Sequence, residues 1–469
     1  MSTSDKPPEA PAARFGEHSG GDAPRGSSTI VKVVAASMAG TTVEWYDFFL
    51  YGVAAALVFP KVFFPTDDPT VGTFLALGTF AVGFIARPIG GLVFGQYGDK
   101  IGRKPLLVFS LVTMGVATFA IGLLPGYAMI GIAAPIILVL LRLIQGFALG
   151  GEWGGAVLIV SEHGDPARRG YWASWPQAGA PGGQLLANGL LALLALFQSD
   201  EAFLSWGWRI PFLLSALLVL IGLYIRLSVE ESPVFRAAQA QAQQRAAAGE
   251  KDSMPIIEVF RRYPREVLTA MGARFAENVS YYIFTIVVIT YLTKSELHTL
   301  SNSFVLNAVL IGAAVHLVTI PIWGALSDRF GRKSIYLWGA TGVGVWGFVF
   351  IFLIDTESFA LTVLAVVGGL LFHGAMYGPQ AAFLSELFGT KVRYSGVSVG
   401  YQLASVVAGG LAPFIAVSLY TAFGSGYAVA VYVAASALIT MVAVATYPET
   451  RHRTLAADHA LPTRSDAVA

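Results

Sequence analysis

Twelve apolar stretches, each long enough to cross a bilayer as a helix, follow one another along the 469 residues of this chain. They run approximately over 31–58, 71–94, 105–124, 131–160, 171–197, 208–227, 267–292, 304–326, 334–354, 359–388, 394–423 and 427–447. Crossing the hydrocarbon core takes about 20 apolar residues. A backbone in lipid must also satisfy its own hydrogen bonds, so runs of this length can only be α-helices. Charge agrees, since 13% of residues are Asp, Glu, Lys or Arg against about 25% in soluble domains. The expectation is an all-α membrane protein with twelve transmembrane helices. Its formal net charge of +1 offers no basic face for nucleic acid. The absence of cysteine removes disulfides, thiol catalysis and Cys-ligated metals.

The loops predict orientation and domain limits. Residues 1–30 are expected to form a disordered cytoplasmic tail. They do not make a secretory signal, because the first apolar run is too long for one and a second span follows it. Seventeen Lys and Arg residues fall on one set of alternate loops, among them Lys100, Arg103, Lys104, Arg168, Arg169, Arg329, Arg332, Lys333, Lys391 and Arg393. The 228–265 linker, counted from Arg226 onward, contributes seven of the seventeen. The opposite loops hold Lys61, Lys294 and Arg209. Positive charge is retained in the cytoplasm, so both termini are expected there. The linker separates a six-helix bundle over 31–227 from a second over 266–449. A short surface helix is expected between Arg236 and Gly249, and a loose tail over 450–469.

The two halves repeat one another. Gly95-Gln-Tyr-Gly-Asp99-Lys-Ile-Gly-Arg103-Lys104 follows span two, and Gly324-Ala-Leu-Ser-Asp328-Arg-Phe-Gly-Arg332-Lys333 follows span eight. Spans four and ten end in Ser161-Glu162 and Ser385-Glu386, each with an arginine seven residues beyond its glutamate, Arg169 and Arg393. Glu44-Trp-Tyr-Asp47 in span one answers Glu277-Asn-Val-Ser280 in span seven.

With these motifs the sequence resembles the major facilitator superfamily. The G-x-x-x-D-[RK]-x-G-R-[RK] loop is that family's most diagnostic signature and occurs twice. Arg142-Leu-Ile-Gln145-Gly146, Glu231-Ser232-Pro233 and Pro448-Glu449-Thr450 also match its motifs. Glu44 to Gly52, Gln145 to Gly155 and Ser174-Trp-Pro-Gln177 are similar to the metabolite:proton symporter branch, whose members carry shikimate, 2-oxoglutarate, citrate or proline and betaine. The resemblance implies twelve helices in two pseudo-symmetric six-helix halves. It also implies uptake of a small solute driven by protons, in the inner membrane and without a cofactor. A monomer is expected, its partners being the solute, protons and lipid.

Ionisable residues inside spans are costly and mark pathways and relays. Asp47 and Arg142 are the candidate proton-coupling pair, with Glu44 three residues from Asp47 and on the same helical face. An approaching Arg142 favours the ionised Asp47, while separation in an apolar setting favours the protonated acid. The alternative is a static pair that staples two helices. Tyr51 and Gln145, on the same helical faces, are candidate solute contacts. Candidate solute contacts are Gln177 and Gln184 in span five, Arg274, Glu277, Asn278 and Tyr281 in span seven, and His373, Tyr377 and Gln380 in span ten. Each set follows helical spacing, and each could instead be glue between helices. His373 could titrate near neutral pH, or remain a neutral buried imidazole; His316 is assigned no role. Arg87 is read as structural or gating, near the cytoplasmic end of span two. Asp99, Arg103, Glu162, Arg169, Asp328, Arg332, Glu386 and Arg393 are candidate gating residues. Asp99 and Asp328 would face helix N-termini, and Arg103 and Arg332 would pair with Glu162 and Glu386. No metal cluster, nucleotide loop or nucleophile–base set supports an enzyme. Two repeats around a midplane polar site suit alternating access better than a channel. Proton-driven export of drugs or metabolites is the runner-up.

Overall fold

In a computed structural model, residues 27–67, 69–227, 240, 255–295 and 297–455 are described. The tail expected over 1–30 lies outside them as far as residue 26, while its last four residues, Ser27 to Ile30, are instead the first turn of a helix; the Arg236–Gly249 helix, Ala240 apart, and residues 456–469 also lie outside. The first half contains α1 (Ser27–Leu57), α2 (Pro69–Ile101), α3 (Arg103–Leu123), α4 (Ala133–His163), α5 (Arg169–Phe197) and α6 (Arg209–Leu227). In the second half, α7 (Pro264–Tyr282) runs through a π turn (Ile283–Val287) into Val288–Lys294. It is followed by α8 (Asn302–Phe330), α9 (Arg332–Ile354) and α10 (Phe359–Leu387). Next, α11 (Arg393–Ser405) passes through a second π turn (Val406–Gly410) into Ala412–Phe423, and α12 (Tyr427–Ala445) closes the bundle. Ten of these spans are apolar enough to cross a membrane by length and composition alone. The other two, α1 and α5, dilute their apolar residues with Glu44, Asp47, Gln177, Gln184 and Asn188.

The duplication reappears in the packing. Helix α2 lies along α4 and α11, and its counterpart α8 lies along α10 and α5. The two halves therefore meet along two equivalent seams, α2–α11 and α5–α8. Both copies of the repeated loop turn on a glycine with positive φ, 102° at Gly102 and 94° at Gly331. Side chains with a Cβ rarely adopt that backbone, so the motif needs glycine there. The α2–α4 crossing is so close that a Cβ on Gly146 would strike the Gly83 carbonyl, and one on Gly150 the Arg87 carbonyl.

Two expectations change. Residues 450–455 do not form a loose tail, because they bond to Glu386, Arg169 and Arg393. Arg226 does not belong to the linker: it occupies the last turn of α6 and is buried.

Candidate functional site

The polar residues of the interior form three tiers. On the repeated-loop face, ion pairs cross between the halves. Arg169 at the start of α5 donates to Glu386 of α10 at 2.8 Å, and Arg393 at the start of α11 donates to Glu162 of α4 at 3.3 Å. These two bridges are equivalents under the internal repeat. Arg332 bonds Asp328 at 2.6 Å and Glu386 at 3.3 Å within its own half. The Asp328 carboxylate accepts the backbone N–H groups of Gly170 and Tyr171, both at 2.8 Å, where the α5 N-terminus presents them. Among the described side chains Glu162 accepts from Arg393, and the pairing expected between Arg103 and Glu162 falls on a side chain outside those described. The side chains of Asp99 and Arg103 lie outside those described.

The residues after α12 complete this tier. Thr450 donates its hydroxyl to Glu386 at 2.7 Å. The carbonyls of Arg453 and Leu455 accept from Arg169 at 3.1 Å and Arg393 at 2.5 Å. The Glu449 carboxylate caps α9 by accepting the N–H groups of Arg332 and Lys333, each at 3.0 Å.

The second tier belongs to the N-terminal half. Glu44 lies away from Asp47 and accepts from Arg226 of α6 at 2.7 Å, and Arg226 also pairs with Glu152 of α4. Sequence counting missed this triad because Arg226 stands at the edge of a basic linker. Asp47 and Arg142, both buried, do not form the expected ion pair. Asp47 lies against Thr118 of α3, and its Oδ1 has no hydrogen-bond partner. Arg142 donates from Nη1 to Gln145 at 3.2 Å, and Gln145 donates to Thr118 at 2.7 Å. The rest of the guanidinium lies over the rings of Tyr51 at 4.2 Å and Phe80 at 5.1 Å. Tyr51 donates to Thr79 at 2.6 Å. Arg87 stands in the middle of α2, 14 residues before its end at Ile101. At about 1.5 Å per residue it is roughly 21 Å from the repeated-loop face.

The third tier belongs to the C-terminal half. Arg274 pairs with Glu277 one turn along α7 and stacks on Tyr401 at 3.5 Å. Glu277 accepts from Gln380 at 3.3 Å and contacts His373 Nε2 at 3.2 Å. His373 Nδ1 lies 3.0 Å from His316 Nε2. With neutral rings, His373 donates to Glu277 and accepts from His316, which leaves Nδ1 of His316 as an acceptor without a partner. His316 therefore joins the site although its sequence context gave no signal. Tyr281 stacks on His373 with centroids 4.8 Å apart. Asn278 donates to Ser405 at 3.2 Å, as a bridge between α7 and α11.

Gln177, Gln184, Tyr281 and Tyr377 join the halves. Trp153 of α4 stacks on Tyr401 of α11 at 3.7 Å and donates to Gln177 at 2.5 Å. Gln177 donates to the Tyr377 carbonyl at 3.2 Å, and Tyr281 donates to Gln184 at 3.2 Å. On the face opposite the repeated loops, a cleft of about 730 Å³ opens between the halves, lined by Lys61, Phe74 and Leu77 on one side and Thr290, Leu297 and Tyr420 on the other. Leu57 lines this cleft and lies ten residues from Asp47, about 15 Å along α1. Phe48, Phe80, Phe84 and Tyr282 pack together at this depth. Ion pairs joining the halves on one face, an open cleft on the other and buried polar groups between them are the arrangement of a transporter.

Comparison with known proteins agrees. The sugar (and other) transporter family matches residues 32–460, and the chain belongs to this family of the major facilitator superfamily. It is 42% identical over 427 residues to the inner membrane metabolite transport protein YhjE of Escherichia coli, covering 90% of this chain and 95% of that one. The shikimate transporter of E. coli is 42% identical, over 86% of this chain and 91% of its own. The proline/betaine transporter of E. coli is 36% identical, over 93% and 86%. The fold matches the proton:xylose symporter XylE bound to 6-bromo-6-deoxy-D-glucose with a TM-score of 0.73 at 19% identity, over 92% of this chain and 98% of that one.

Proposed function

We propose that this protein is a proton-coupled symporter of the inner membrane, with both termini cytoplasmic, that takes up a small organic acid or zwitterion by alternating access. The observation that carries the reading is the separation of Asp47 from Arg142. Asp47 is buried with an oxygen unpartnered, and Arg142 is buried with donors unpartnered. Burying an unpaired carboxylate costs several kcal/mol or more, so Asp47 takes a proton from the cleft side in this state. When the halves rock and Arg142 swings to Asp47, the ion pair favours the carboxylate and the proton leaves towards the cytoplasm. The cross-half bridges Arg169–Glu386 and Arg393–Glu162 hold the cytoplasmic side closed until proton and solute are aboard. Their equivalence under the repeat supports a gating role.

Proton-driven export has one observation in its favour, that Asp47 faces no cation at ion-pair distance. Against it stand buried arginines in the same half, which repel a cationic solute. The two readings separate in proteoliposomes given labelled shikimate, 2-oxoglutarate, citrate, proline or glycine betaine, each with and without an inward proton gradient. Gradient-driven accumulation of one compound supports symport. Accumulation of none, with outward movement of an amphipathic cation, favours export.

A further inference from the structure

Among the described residues, two buried guanidiniums of the N-terminal half, Arg87 and Arg142, have no acid partner. Arg87 is 3% exposed and Arg142 2%, and neither forms an ion pair among the described residues. The Nε of Arg87 and the Nε and Nη2 of Arg142 are buried donors without an acceptor. Both cations lean on one ring: the Cζ of Arg87 is 4.8 Å from the centre of Phe48, and that of Arg142 is 5.3 Å from it. Helix geometry brings them together. Arg142 lies directly over Gly83, where a Cβ would sit 2.5 Å from its Nε, and Gly83 is one turn before Arg87 on α2. The close α2–α4 crossing, at Gly83 with Gly146 and Arg87 with Gly150, keeps the two side chains on one level.

Two like charges in one apolar setting repel, and each open donor adds the cost of a lost hydrogen bond. An anion between them answers both, because guanidiniums bind carboxylates through parallel N–H···O bonds. Arg274, by contrast, already has Glu277, so the C-terminal half holds a balanced pair.

We infer that Arg87 and Arg142 form the receptor for a solute carboxylate, and that the transported compound carries net negative charge rather than being a zwitterion. The inference rests on the transport reading above and narrows it. Phe48 and Phe84, the latter 3.9 Å from Arg87, form the apolar floor. Because Arg142 also serves Asp47, a bound carboxylate holds Arg142 off the acid and so keeps the proton in place. The anion and the proton then enter together.

The test uses the full chain in nanodiscs and reads thermal stabilisation by acetate, succinate, citrate, shikimate, proline and glycine betaine. The expected result is stabilisation by at least one anion and by neither zwitterion. Arg87→Gln should raise the half-saturating concentration of that anion at least tenfold, with Arg87→Lys recovering part of the loss. Stabilisation by a zwitterion alone, by no compound, or with an unchanged midpoint in Arg87→Gln overturns the proposal. If Arg87→Gln does not fold, Arg87→Lys alone decides, since a lysine cannot reproduce a bidentate contact and must weaken binding measurably. Proteoliposome accumulation separates this inference from the transport reading. Arginine-dependent anion binding without gradient-driven accumulation would leave the receptor standing and remove symport. Accumulation of a zwitterion unaffected by Arg87→Gln would do the reverse.

Discussion

The gate offers the most direct quantitative test, through Glu386→Gln. Glu386 accepts from Arg169 across the halves, and from Arg332 and Thr450 within its own. Only the bond to Arg169 breaks when the halves part on this face, so only that bond weighs on the conformational equilibrium. All three residues are buried, so the contact is not screened as a surface pair would be. A hydrogen bond to a charged group contributes about 1.5–3 kcal/mol, which makes the expected shift towards the gate-open state roughly 10- to 150-fold. The assay is a distance distribution between spin labels at Ala167→Cys and Lys391→Cys, both exposed and on opposite halves. The natural chain has no cysteine, so the labels report without background. Glu386→Gln should move population to longer distances, and Glu162→Gln should do the same through the equivalent bridge. Unchanged distributions in both variants would refute the assignment of these bridges as the latch.

Other outcomes follow from the buried charges. Asp47→Asn should abolish gradient-driven accumulation while leaving solute counterflow intact; retained accumulation would take the coupling role from Asp47. Arg274→Gln should lower the melting temperature sharply, since removing one partner of a buried pair costs about 3–5 kcal/mol. The double variant Arg274→Gln/Glu277→Gln should regain most of that, and a simple sum of losses would contradict the pairing. Arg226→Met should destabilise comparably by leaving Glu44 and Glu152 together without a cation, and Arg226→Lys should destabilise less. Equal melting curves for Arg226→Met and the natural protein would argue against the triad.

Some of the site was legible because it follows chain periodicity. Arg274 and Glu277 group as one polar stripe because they are one turn apart on α7, and that spacing also pairs them with each other, which was not expected. Arg332 was expected with Glu386, and they lie 3.3 Å apart; its bond to Asp328 one turn back was not expected. Pairings between helices were a different matter. Glu44 was read with Asp47 because three residues on a helix share a face, yet that face spans two neighbours. The tilt of α1 aims Glu44 at α6 and Asp47 at α3. Arg226 looked like linker because its sequence neighbours are basic, and His316 looked like filler because its partner is 57 residues away.

The sequence by itself determined that the chain spans a membrane twelve times, that its halves are copies, and that a few ionisable residues lie in lipid at a cost. Those conclusions rest on hydropathy and repetition, which are properties of order along the chain. Only the tertiary structure decided which charge meets which. It separated Arg142 from Asp47, gave Glu152 to Arg226, crossed Arg169 and Arg393 to the opposite halves, and bonded residues 450–455 to the ion pairs that join them. Helix crossing and tilt set these choices. A rotation of some tens of degrees about a helix axis exchanges one partner for another while leaving the apolar pattern unchanged.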